Sequence, residues 1–133
     1  MLLDGGTLDG GTIATAPADP SSALLLTSNG GTLDGTAGAV TLAAGSQAIV
    51  AAGQTLTALG AIHEQGTLSV LGNGYYGVVA EVQIGGTLTL SGNALLALTD
   101  GSQLGTAADV TQVVTGTTPD ATLDNAASID GYG

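Results

Sequence analysis

The chain contains no lysine, arginine, cysteine, phenylalanine or tryptophan, and each absence removes a class of explanation. An average sequence of 133 residues carries roughly fifteen basic side chains. With none, eleven acids leave a net charge of −11, which repels nucleic acid and anionic lipid and offers phosphate no cationic contact. Membrane insertion is disfavoured too, because no apolar run approaches the length of a span. The lack of cysteine excludes a disulfide framework and a thiolate metal site. With one methionine and three tyrosines besides, the core has to be built from leucine, valine, isoleucine and alanine, which suit a narrow cross-section better than a thick globule.

What is present is a repeat. Gly66-Thr67-Leu68 and Gly72-Asn73 recur as Gly86-Thr87-Leu88 and Gly92-Asn93, an offset of twenty at which Ile62 also answers Val82 and Val78 answers Leu98. The hexapeptide GGTLDG occurs at Gly5–Gly10 and again at Gly30–Gly35, and removing a bulge of about five residues near 17–22 restores a period near twenty. A looser echo at Ala121–Asn125 follows an irregular coil near 100–120.

Within each unit polar and apolar residues alternate, as in Thr67–Leu71 and Thr87–Leu90, and Gly-Gly, Gly-Asn and Asp-Gly pairs punctuate them. The alanine-rich stretch 37–52 is the best helical competitor, but its glycines and β-branched residues favour short strands. Residues 1–133 therefore read as a single all-β domain, a right-handed parallel β-helix (β-solenoid) of about six coils with three brief strands each. In this reading Leu68 stacks on Leu88, and Asn73 and Asn93 form an amide ladder at a turn. An antiparallel β-sandwich is the alternative; it explains the turns but not the repeat.

The segments GGTLDGGTI, GTLTLSGNA and ATLDNAASIDGYG resemble repeat units of bacterial autotransporter passengers and large secreted surface adhesins. That resemblance implies a right-handed β-helix displayed outside the cell, at the cell surface or extracellular, acting in adhesion, in biofilm or as a stalk. The opening Met1–Gly6 lacks the basic start and apolar run of a secretory signal, and no membrane-anchoring barrel is evident, so the sequence departs from the family in both respects. Enzymes sharing the architecture are also instructive. Pectate lyases resemble one another in using arginine or lysine, which this chain lacks, and the paired carboxylates of a hydrolase are missing, so no enzymatic activity is expected.

Calcium is the one cofactor considered: in stacked GGTLDG coils, Asp9 and Asp34 sit about one strand spacing apart, and like charges that close favour a cation. Otherwise they are turn aspartates that accept backbone N–H bonds. Tyr75-Tyr76, after a glycine turn, could present a platform for a glycan or host surface. His63, Glu64 and Glu81 read as solvent-facing strand residues, and Thr55-Leu56-Thr57 with Thr87-Leu88-Thr89 fall short of a regular threonine array. Neither terminus carries an evident cap, so Leu2, Leu3 and Leu8 at one end and Leu123, Ile129 and Tyr132 at the other are the candidates for head-to-tail self-assembly into a filament.

Overall fold

The computed structural model describes residues 1–16, 23–26, 28–72, 78–93, 95–100 and 112–131. The loop insertion expected at 17–22 lies outside the described residues, as does 101–111 of the irregular stretch expected at 100–120.

The described residues form strands and turns, with no helix among them. In chain order the strands are β1 (Leu2–Leu3), β2 (Thr7–Asp9), β3 (Gly11–Ile13), β4 (Leu24–Leu26), β5 (Gly31–Leu42), β6 (Gln47–Ala51) and β7 (Thr55–Glu64). They continue with β8 (Thr67–Gly72), β9 (Ala80–Gly92), β10 (Leu95–Asp100), β11 (Gln112–Gly116), β12 (Thr122–Asn125) and β13 (Ser128–Gly131). The protein is all-β with parallel sheets, and every ladder among the described strands is parallel. The antiparallel alternative finds no ladder among them. One six-stranded sheet runs β1-β4-β6-β8-β10-β13. The other runs β11-β9-β7-β5-β2, with β12 also on β9 and β3 also on β5. The chain alternates between the two sheets, so each return adds its strands beside those of the previous pass.

Alternation sets which side chains face inward. β6 and β8 bury every second residue, and Val50 and Val70 lose all contact with solvent. Register then aligns inward residues in columns: Leu24, Ala48, Leu68 and Leu96 in one sheet, and Val40, Ile62 and Leu90 in the other. Each fully buried aliphatic side chain contributes roughly 1.5–3 kcal/mol. Among the described residues the core is aliphatic apart from two buried polar residues, Ser46 and Glu64.

The long strands β5, β7 and β9 bend. The register slips between Gly35 and Val40 where β5 meets β7, and between Ala58 and Gly60 where β7 meets β9. Two glycines make the bend possible, because the backbones there approach too closely for a side chain: a Cβ on Gly35 would lie 2.1 Å from the Ala61 carbonyl oxygen, and one on Gly60 would lie 2.3 Å from the Gly35 carbonyl carbon. Gly60 also adopts φ 72°, in the left-handed region. Gly60→Ala is therefore expected to cost at least roughly 1–3 kcal/mol in strain alone. A urea midpoint unchanged from the parent would contradict this account of the bend.

The spacing of the repeat needs correction. Leu68 lies in β8, paired with Ala48 and Leu96, whereas Leu88 lies in β9 of the other sheet, paired with Gly60 and Leu123. They are not stacked copies, and the other pairs at that offset fail likewise: Ile62 pairs with Leu90, Val82 with Leu56, and Leu98 with Val70. The physical reason is that both segments begin an inward-facing run after a glycine and draw on the same Gly-Thr-Leu texture, although they join different sheets. Register partners are instead separated by variable distances, 25 residues for Leu8 and Leu33, 25 again for Leu33 and Ala58, and 35 for Leu88 and Leu123. The 25-residue recurrence of GGTLDG is thus a true step between neighbouring strands. Asn73 of the expected amide ladder lies outside the described residues.

Candidate functional site

The two ends of the sheets concentrate the unusual features. Among the described strands, β1, β2 and β3 at one end each have a ladder neighbour on one side only, and at the other end the same holds for β11, β12 and β13. Backbone N–H and C=O groups on the far side of an edge strand are open for pairing. The candidates for self-assembly lie here, in different settings. Leu2 and Ile129 are exposed, Leu3 is buried, and Leu8 and Leu123 are partly buried against the core. Tyr132 lies outside the described residues, as do Tyr75 and Tyr76.

One relation joins the two ends. Leu2 pairs with Leu25, and the Leu25 N–H donates to the Met1 carbonyl, which sets Met1 at the head of the inward column Leu24, Ala48, Leu68 and Leu96. Ile129 stands at its foot. The members between are nearly sealed from water, yet Met1 is 59% and Ile129 42% exposed. A buried apolar column thus ends in an uncovered apolar side chain at each end.

Asp9 and Asp34 are direct register partners on β2 and β5, as the sequence spacing required. The Asp34 Oδ1 accepts the Thr36 N–H at 2.9 Å and the Thr36 hydroxyl at 2.6 Å, and these bonds hold its carboxyl below the usual range. The next place in the column is Leu59, so the carboxylate row stops at two, and no group of three or more metal-ligating side chains occurs among the described residues.

Beside this pair an outward column of hydroxyls and one amide runs through Thr7, Thr32, Thr57, Gln83 and Thr115. It borders a polar groove of about 270 Å³ formed by Ser28, Asn29, Thr32, Thr55 and Thr57 with Gly5, Gly30 and Gly31. The Asn29 amide donates to the Asp4 Oδ1 at 2.8 Å across the corner. The column is one residue wide: the place of Thr55 is taken by Glu81 and Val113 in the neighbouring strands.

Glu64 is a residue that sequence reasoning missed. It is placed inward and is only 1% exposed, while His63 points outward and its Nδ1 lies 2.5 Å from the Ser91 Oγ. Neither Glu64 carboxyl oxygen has a hydrogen-bond partner among the described residues. The cavity beside it, about 10 Å³, is lined by Ile13, Leu33, Leu42, Ala48, Leu68 and other aliphatic residues, and has room for about one water. Desolvation pushes the carboxyl up to about 7. A signal was available: Glu64 shares parity with the buried Leu56, Ala58 and Ile62. Glu81, by contrast, is partly exposed as expected and accepts the Thr115 hydroxyl at 2.7 Å.

No protein-family model matches the chain, and no curated protein or solved structure is significantly similar to it.

Proposed function

We propose that the protein is a structural element, a β-solenoid rod of about six coils that stacks end to end with copies of itself into an extracellular filament or stalk. The alternation of the chain between two parallel sheets supports the solenoid reading, with one strand of the six-stranded sheet in each coil. At about 4.8 Å per layer the rod is on the order of 30 Å long.

The observation that carries the assembly is the column from Met1 to Ile129. A second copy placed on the stack with the same polarity brings its β1 beside β13 of the first, so that Ile129 covers Met1 and two exposed apolar groups leave water together. The same step sets β2 beside β11 and β3 beside β12, pairing backbone edges that otherwise stay open. The hydroxyl column would run on through the joint, from Thr115 of one copy to Thr7 of the next.

Electron microscopy and light scattering test this reading directly. Rods of one protein width that lengthen with concentration are expected in moderate salt. Particles of a single size at every protein and salt concentration would exclude it.

The polar groove favours a second reading, a monomeric adhesive module that binds a glycan. It predicts micromolar binding of the monomer on a glycan array, lost when Thr32 and Thr57 are replaced by valine, with no change in particle size.

A further inference from the structure

We propose that Glu64 is a proton-operated latch: neutral, its side chain completes the apolar column at the corner between β7 and β8; ionised, it has to leave the core and open that corner. Four observations support the assignment. The side chain is buried, both its oxygens lack partners, the wall around it is aliphatic, and it is the last residue of its strand. A carboxylate in such a place has no compensation, whereas a neutral carboxyl needs only one small polar contact, which a single water can supply.

Among the described residues nothing else titratable faces it. The residues turned toward it from β3, β5, β6 and β8 are Ile13, Leu33, Val40, Leu42, Ala48 and Leu68, and its partner on β9 is Gly92. The lone imidazole, His63, lies on the opposite side of the same strand, and the chain has no lysine or arginine to bring near. Ionisation therefore cannot be offset in place.

The corner is suited to opening. Beyond Glu64 the chain turns through Gln65 and Gly66 into β8, held by the Gln65 N–H on the Leu42 carbonyl and the Thr67 N–H on the Ser46 carbonyl, both at 2.9 Å. If Glu64 swings out, these two amides lose their acceptors, while the columns on the far side of the core stay closed.

The direction with pH follows from linkage. The closed form holds its proton up to about 7, whereas the open form releases it near 4.5. The closed form is thus fully favoured below 4.5, loses about tenfold for each unit of pH between the two values, and is constant above about 7. The whole change is roughly 300-fold.

Amide hydrogen exchange on the intact chain tests the latch. Corrected for intrinsic rates, the protection of Gln65 and Thr67 is expected to fall roughly 300-fold between pH 4.5 and 7.5 while that of Val50, on β6, changes little. In Glu64→Gln the fall should vanish at both Gln65 and Thr67. An equal fall in the variant would overturn the proposal. Carbon-13 detection of the Glu64 carboxyl in the parent supplies a test that needs no variant: titration near 4.5, the value of an exposed glutamate, would overturn it as well.

Discussion

Replacing Glu64 by leucine is expected to stabilise the protein toward urea by about 3 kcal/mol more at pH 8 than at pH 4. The figure follows from the two proton affinities: a folded value of about 7 against 4.5 unfolded is some 2.5 pH units, and each unit is worth about 1.4 kcal/mol. Because the folded value is raised, the native state holds more protons than the unfolded chain between these limits, so stability declines as pH rises from 4.5 to about 7 and then levels off. Leucine has nothing to titrate, and the cavity beside Glu64 leaves space for a side chain of similar volume. Urea midpoints of parent and variant at pH 4, 6 and 8 provide the measurement. A gain that does not change with pH would mean that Glu64 is already neutralised or hydrated in the folded protein.

The second large effect concerns assembly. Both end faces carry carboxyls, Asp4 and Asp9 at one and Asp120, Asp124 and Asp130 at the other, and the chain has no lysine or arginine to offset them. Stacking brings Asp124 of one copy opposite Gly10 of the next, beside Asp9, if the ladder register continues through the joint. At about 10 mM salt, where screening reaches only beyond roughly 30 Å, end-to-end association at pH 8 is expected to fail; at about 0.5 M sodium chloride, or in millimolar calcium or magnesium, rods should form. Calcium acting well below the concentration at which magnesium does would favour a bound ion between Asp9 and Asp34 over simple screening. Ile129→Asp should abolish rods under all these conditions, since it sets a charge against Met1 in place of a covered apolar contact. Persistence of rods in this variant, seen by microscopy, would remove the joint as drawn.

Much of the architecture was readable from the residues. Alternation in Thr67–Leu71 and Thr87–Leu90 marked strands, the glycine pairs marked corners, and the two GGTLDG segments lie in register as their spacing implied. The period was not readable, because Leu68 and Leu88 look alike for a reason local to each: both follow a glycine corner and start an inward column. Sequence similarity between them reports equal demands on two sheets, not adjacency in one. Glu64 escaped for a different reason. Glutamate is seldom fully buried, so its residue type argued against the phase of the strand, and the phase prevailed. The end-to-end relation of Met1 and Ile129 was beyond the sequence altogether, since it depends on five successive ladder registers.

The unequal steps between register partners have a consequence for tolerance of change. Ile49 and Ser69 are 20 residues apart and Ala97 and Asp130 are 33 apart, yet all four occupy one column of the same sheet. The length of a connection is thus uncoupled from where its flanking strands dock, because loop closure grows only slowly in cost with added residues. A foreign epitope or a small domain could be grafted at a corner and held at a fixed height along the stack, which would make a polymer of this chain a ruler with attachment points at regular intervals.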